Sequence, residues 1–363
     1  MTNTSNNFQV VLSKYKNRIP KSIKIFYGNV YNHLKKTKMF RKYFPINVML
    51  EVSTYCNLRC TGCYRNLKEY SAKNKNMSLD DFKMYIDKLP HISGLILQGC
   101  GETSLNLQLR EMMDYAMNSG KVKGISFTTN LLAQKPEVYR DLFSRGLTQL
   151  IISVDSLDQQ EVSQLRPGTD VAVLTKNIKY LLDHFPDKIV FGVVISTVNQ
   201  HTFSKTVEKL VHLGAKRIIC QPFEDQGCHT RCQTPLEKRE TVRKIKEMKM
   251  KNVEFEFVDI PKGVDLSHVT IIISDRFRRD DYSPCNTYGM VVITVEGYVI
   301  PCCALMDGDI YNYGNLKEQS FKQIFFSKHH KQLQTNISKG NYPPFCQKCS
   351  SNHVYMMTQE QIQ

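Results

Sequence analysis

Between residues 47 and 223, short apolar runs alternate with stretches whose apolar positions recur every three or four residues. That alternation predicts strands followed by amphipathic helices. Residues 47–52 read as a first strand. Residues 78–89 read as a helix, with Ser78 as N-cap, Asp81 three positions on, and Leu79, Phe82, Ile86 and Leu89 along one face. Strands are expected at 94–98, 123–128, 150–154, 189–196 and 217–220. The intervening helices are expected at 109–117, stopped by Gly120, at 136–144, opened by Pro136, and at 171–184 and 203–213. Six strand–helix units of roughly 30 residues imply right-handed crossovers and a parallel sheet. Curled, that sheet is a partial (β/α)6 TIM-like barrel of the α/β class, with functional groups at the C-terminal strand ends. A flat doubly wound sheet satisfies the same pattern.

The flanks differ from this core. Residues 1–46 form an N-terminal arm in which Ile23, Phe26, Val30 and Leu34 recur at helical steps. Residues 47–260 are taken as the core domain. The stretch 224–280 is less regular, with a charged helix expected at 236–250 and a strand at 253–258. Residues 281–350 change character: five cysteines, many Gly, Pro and Tyr, and an expected hairpin from 290–295 and 298–300 around Glu296-Gly297. They are read as a smaller C-terminal cysteine-rich module, followed by a tail at 351–363.

Charge narrows the partners. The net charge is +15, but ten Lys/Arg and no Asp or Glu fall within the first 50 residues. The basic character therefore belongs to the arm, and no nucleic-acid footprint runs over the rest of the chain. The arm either packs a helix on the main domain or docks to an anionic lipid surface or an acidic substrate, which leaves a peripheral membrane contact open. No apolar run reaches the roughly 18 residues of a membrane span. The first residues lack a signal-peptide core, so the expected location is cytoplasmic. Twelve cysteines in such a chain point to metal rather than to disulfides.

The densest cluster is Cys56-Asn-Leu-Arg-Cys60-Thr-Gly-Cys63, directly after the first predicted strand. Three thiolates can ligate three irons of a cubane and leave the fourth iron open to substrate. A structural zinc site wants four closed ligands, which this stretch does not supply locally. With Asn57 and Leu58 between the cysteines, the motif resembles the signature of the radical S-adenosylmethionine (SAM) superfamily. The resemblance implies a [4Fe–4S] cluster on Cys56, Cys60 and Cys63 whose open iron chelates SAM. It also implies reductive cleavage of SAM to a 5′-deoxyadenosyl radical that abstracts a substrate hydrogen, with an electron donor such as flavodoxin or ferredoxin. Gln98-Gly-Cys-Gly101-Glu102-Thr103 is similar to the family's Gly-Gly-Glu-Pro stretch, with Thr103 in place of Pro. It implies Gly101 and Glu102 at the SAM amino group. Thr128-Thr-Asn130 resembles a segment near the SAM ribose and carboxylate, with Leu131 where Gly often follows. Ser153-Val-Asp155-Ser156, Arg166-Pro-Gly and Asn199 are similar to further SAM-facing positions.

The second group is Cys285, Cys302, Cys303, Cys346 and Cys349. Eleven residues separate Cys285 from Gly297 and four separate Gly297 from Cys302, which resembles the opening of SPASM and twitch auxiliary-cluster domains. Five cysteines are fewer than a full two-cluster SPASM domain uses. The resemblance therefore implies one auxiliary [4Fe–4S] cluster on Cys285, Cys302, Cys346 and Cys349. A four-cysteine zinc site is the alternative. Cys303 either replaces Cys302, donates a hydrogen atom to substrate, or is a spare packed thiol. Cys228 and Cys232 suit a loop at the barrel mouth, and Cys100 and Cys220 suit packed thiols near SAM.

The expected function is thus radical oxidation or rearrangement of a small polyol, sugar or peptide precursor, with an auxiliary cluster accepting the electron. Radical epimerisation with a thiol hydrogen donor is the second reading. A non-enzymatic zinc or cluster module that binds nucleic acid or membrane is the reading from another class.

Overall fold

A computed structural model describes residues 46–66, 74–223, 237, 240–244, 270–273, 290–303, 305–338, 341, 343 and 344. The basic arm before residue 46, the strand expected at 253–258, most of the helix expected at 236–250, the tail, and Cys228, Cys232, Cys285, Cys346 and Cys349 lie outside the described residues.

Six strands follow the expected order: β1 (Ile46–Leu50), β2 (Ile92–Leu97), β3 (Ile125–Thr129), β4 (Leu147–Ser153), β5 (Ile189–Ile195) and β6 (Arg217–Pro222). Each is parallel to the next. β7 (Thr270–Ile273) adds parallel to β6. β8 (Met290–Ile293) adds parallel to β1, and β9 (Val299–Ile300) turns back antiparallel on β8. The order is β7-β6-β5-β4-β3-β2-β1-β8-β9, so among the described residues the barrel is open, with β7 and β9 as its edges. A doubly wound sheet would reverse direction at a switch point. Here β1 to β6 advance one way, and successive right-handed crossovers then place their helices on one face.

Those helices form where local chemistry supports them. In α1 (Leu79–Lys88) the Ser78 side chain accepts from the Asp81 N–H, and Asp80 and Asp81 sit in the first turn, where the helix dipole favours them. α2 (Leu109–Asn118) is followed by Gly120 at φ +67°. α3 (Pro136–Ser144) has Pro in its first turn. α4 (Gln159–Leu165), too short to stand out by periodicity, is capped by Asp158. α5 (Val171–His184) is capped by Asp170, and α6 (Phe203–His212) completes the layer. In the C-terminal part α7 (Phe321–Phe325) opens with a Ser320/Gln323 capping box and α8 (Lys328–Ser338) follows.

Alternate strand residues divide the apolar side chains between two cores. Val48, Leu50, Leu95, Leu97, Phe127, Ile152, Phe191, Val193, Ile218 and Cys220 join Phe82, Ile86, Met112, Tyr139, Ile178 and Leu210 of the helices. Met49, between Val48 and Leu50, lies in a second, small cluster with Val292, Ile300 and Met306, flanked by Tyr64, Ile96, Cys100, Tyr298 and Cys303. The period-2 rule assigns this cluster to the inner, lumen side of the sheet. The C-terminal hairpin thus extends the barrel's own sheet and covers part of its inner surface.

Among the described residues one non-glycine position has a strained backbone. Leu131, just past β3, has φ +60°, where glycine is normally needed. It is fully buried, its N–H donates to Thr129 Oγ1 (2.9 Å) and its carbonyl accepts from Asn177 Nδ2 on α5 (3.0 Å). Burial of the leucyl side chain offsets a left-handed cost of about 1 kcal/mol. Both Leu131→Ala and Leu131→Gly should be destabilised by loss of the side chain. The Gly variant should be the more stable of the two by about 1 kcal/mol, the reverse of the usual order. Thermal melts of the two variants check this. An Ala variant more stable than the Gly one would show that the strain is absent.

Candidate functional site

Chain leaves β1 at Glu51 and carries the cysteine triplet over the C-terminal end of the sheet. Neighbouring segments hold this stretch at many points. Thr54 N–H donates to Lys75 O (2.9 Å), Lys75 N–H returns a bond to Thr54 Oγ1 (2.8 Å), and Arg65 Nε donates to Thr54 O (2.8 Å). The Thr61 N–H and hydroxyl reach the end of α4 at Leu165 O (2.9 Å) and Gln164 O (2.8 Å). Asn130 Nδ2, from the loop after β3, donates to Asn57 Oδ1 (2.8 Å). The loop after β2 comes closest of all. Glu102 N–H donates to Tyr55 O at 2.6 Å, and a Cβ on Gly101 would fall 2.3 Å from Ser53 O and 2.6 Å from Tyr55 O. Glycine is required there because backbone lies against backbone.

Cys56, Cys60 and Cys63 carry half-buried thiols on this loop, and none of them is in a disulfide. Burial pushes the Cys60 thiol up to about 11. The Arg166 guanidinium opposes that rise, while Cys63 and Asp155 add to it. Burial likewise raises Cys56. A metal would take these thiols as thiolates. Among the described residues no three His, Cys, Asp or Glu side chains are drawn together tightly enough for a single ion. The donor set fits a cubane, which offers a separate iron to each of three thiolates on a pinned loop.

Around the triplet the remaining expected residues divide. Arg166 Nε donates to Asp155 Oδ2 (2.8 Å) and Nη1 donates to Ser153 O (3.0 Å). Burial works against the Arg166 cation, but Asp155, Cys60 and Cys63 together outweigh it and hold the guanidinium above its usual range. This cation lies beside Cys60, so it suits an anionic group there. Thr128 turns its hydroxyl to Gln98 Oε1 (2.8 Å). Asn130 sits between Asn57 and Glu102. Glu102 itself is buried. Its carboxylate accepts from the Asn130 N–H (2.8 Å) and the Ser104 hydroxyl (2.7 Å), and burial raises its pKa against those bonds. The structure therefore shows Glu102 as a brace between the loops of β2 and β3, a task its motif did not announce.

Asn199 corrects the sequence reading. It was expected to face SAM, yet it is fully buried and its amide is spent on protein. Oδ1 accepts from the Ser196 N–H (2.8 Å) and hydroxyl (3.2 Å), and Nδ2 donates to Asp155 O (2.8 Å) and Val194 O (2.9 Å). No hydrogen-bonding capacity is left for a ligand. Its effect passes through Asp155. Cys220 is a packed thiol, as expected, but in the helix-side core and not at the lumen. Cys100 and Cys303 share the lumen-side cluster, and Cys302, next to Cys303 after β9, is half-buried. Asp155, in a segment expected to face SAM, accepts from both Arg166 and the Val194 N–H (3.0 Å). One central residue carried no expectation: Glu51 is a buried carboxylate ending an apolar strand. It had a legible signal, since an ionisable side chain is almost never buried unless paired.

Comparison with known proteins agrees with this geometry. Residues 50–210 match the family model of the radical SAM superfamily, and residues 285–350 match the SPASM model, an iron–sulfur cluster-binding domain. The chain carries a radical SAM domain followed by a SPASM domain. A probable GTP 3′,8-cyclase of Methanococcus maripaludis is 24% identical over 274 residues, 73% of this chain and 87% of that protein. A tungsten-containing aldehyde ferredoxin oxidoreductase cofactor-modifying protein of Pyrococcus furiosus is 21% identical over 324 residues, 83% of this chain and 86% of that protein. Among solved structures, SuiB of Streptococcus suis superposes with a TM-score of 0.63 at 13% identity, over 96% of this chain and 82% of its own. The enzyme anSMEcpe with bound AdoMet gives 0.62 at 16% identity, over 79% and 82%. At these identities the structures support the fold. The two domains make the protein a radical SAM enzyme that binds SAM and [4Fe–4S] iron.

Replacing Cys56, Cys60 and Cys63 together by Ala should remove about four of about eight irons per anaerobically reconstituted chain. It should also abolish 5′-deoxyadenosine formation. Iron analysis and chromatography check both. A triple variant that still cleaves SAM would place the catalytic cluster elsewhere.

Proposed function

We propose that this radical SAM enzyme oxidises a peptide substrate, with its SPASM module taking up the electron left after hydrogen abstraction. The observation that carries the reading is the shared sheet. β8 pairs directly with β1, and the chain leaving β9 brings Cys303, next in sequence to Cys302, against the lumen-side cluster of Met49 and Ile96. A group held by the SPASM module is thereby tied to the strand that leads into the cysteine triplet. SuiB, which shares the fold, has been solved with its precursor peptide SuiA, and this supports a peptide over a small sugar or polyol.

When bound, the cluster and SAM supply a radical that removes a substrate hydrogen, and the auxiliary cluster supplies an acceptor for one electron. The chain's own residues provide the rest. Cys56, Cys60 and Cys63 hold the first cluster. Gly101 lets the β2 loop approach closely, Glu102 braces it, and Thr128, Asn130 and Ser153 border the SAM pocket. Arg166 offers a fixed cation to the SAM carboxylate, held by Asp155. Cys285, Cys302, Cys346 and Cys349 hold the auxiliary cluster. Met49, Ile96 and Met306 keep water from the inner wall, which protects a radical from quenching.

Epimerisation remains a second reading because Cys303 lies at the same inner wall, where a thiol could return hydrogen. The two readings separate by mass. Short peptides encoded beside the gene are incubated anaerobically with SAM and dithionite in deuterated water. Oxidation should remove a pair of hydrogens and persist in Cys303→Ala. An unchanged composition with one deuterium gained, lost in Cys303→Ala, would overturn oxidation in favour of epimerisation. Modification of a sugar or nucleotide while all such peptides stay intact would overturn the peptide assignment.

A further inference from the structure

Glu51 is the first residue past β1 and is only 1% exposed. Its partners come from opposite sides. Oε1 accepts from the Cys100 N–H of the β2 loop (2.8 Å), and Oε2 accepts from the Val295 N–H of the turn after β8 (3.2 Å). Its own N–H donates to Ile293 O (2.9 Å), which continues the β1–β8 ladder. Gly99 lies flat on the side chain, and a Cβ there would fall 2.2 Å from Glu51 Cγ and 2.3 Å from Oε1. The carboxylate therefore occupies a slot bounded by the loop that carries Gly101 and Glu102 and by the turn that enters the SPASM hairpin. Among the described residues no basic side chain compensates it and two backbone donors hold a charge that burial disfavours; burial pushes its carboxyl up to about 7.

So costly a group persists where structure over-determines it, and its geometry suits a joint more than a plug. An apolar residue would fill the slot as well, but would leave the Cys100 and Val295 N–H groups without acceptors. We propose that Glu51 is a positioning residue that fixes the SAM-binding β2 loop and the entry turn of the SPASM module in one register. SAM occupancy and the placement of the module are thereby set by the same carboxylate. The proposal rests on the assignment of the Gly101–Glu102 loop to SAM and is independent of the substrate.

The test uses the full-length, iron-loaded enzyme under anaerobic conditions. In Glu51→Gln one oxygen still accepts, while the amide nitrogen faces an N–H it cannot satisfy. SAM affinity, measured by equilibrium dialysis, should fall about tenfold with iron content unchanged. Gly99→Ala, which drives a methyl against the carboxylate, should do the same without altering the acid. In the wild type, SAM should protect the amides of residues 99–102 and 294–296 together in hydrogen exchange, and in Glu51→Gln only the first set. Ionised Glu51 accepts from both donors and protonated Glu51 from fewer, so wild-type SAM affinity should fall as pH drops through about 7. That component should be missing in Glu51→Gln. Glu296 on the turn and the Cys100 thiol are titratable neighbours common to both proteins. Wild-type SAM affinity in both iron-loaded variants, with exchange still coupled, would overturn the proposal. Glu102→Gln separates the two layers. If it weakens SAM binding while both variants do not, only the role of Glu51 fails, and if none of the three weakens it, the loop assignment fails as well.

Discussion

Beyond the last residue of a parallel strand the ladder stops, yet the backbone continues through buried ground and its N–H groups still need acceptors. This chain meets that constraint with side chains at the strand ends. Glu51 after β1 takes an N–H from the loop after β2 and another from the turn after β8. Glu102 after β2 takes one from Asn130 after β3. Asp155 after β4 takes the N–H of Val194 on β5, and Asn199 bonds back to Asp155 O and Val194 O. The loops are thus stitched strand to strand above the sheet. The cysteine loop rides on this stitching, because Tyr55 O and Asn57 are bonded to two of the same loops.

The arrangement explains how a loop of three thiols can be ready for a cluster. Iron supplies the affinity, but thiolates on a slack loop would lose much of it to ordering. Here the ordering is done by hydrogen bonds from the β2 loop, the β3 loop, the segment before α1 and the end of α4. Arg166, placed at that helix end, brings positive charge to Cys60 at the same time. Geometry and electrostatics therefore reach the triplet through the same contacts.

Much of this was legible in the residues. The six strands and five of the helices announced themselves by period, cap or proline, and the triplet by spacing. What escaped had physical reasons. α4 has only two buried positions, Val162 and Leu165, too few for a period to show. β7 reads Thr-Ile-Ile-Ile, a short β-branched run isolated in an irregular stretch. The parallel pairing of β8 with β1 joins residues more than two hundred positions apart, and no local pattern encodes that. Asn199 misled because an asparagine in a loop after a strand looks alike whether its amide faces a ligand or its own backbone. The division of labour between Glu51 and Glu102 lies in which N–H groups they meet, which only the folded chain defines.

Leu131 gives the site one more property. A glycine at that turn would let the segment behind Asn130 swing through many conformers. A leucine forced into the left-handed basin, with its side chain sunk in the core and its carbonyl tied to α5, has almost nowhere else to go. The strand end that reaches across to Asn57 is therefore stiff before any cofactor arrives, and the freedom it would otherwise surrender on binding has already been given up during folding.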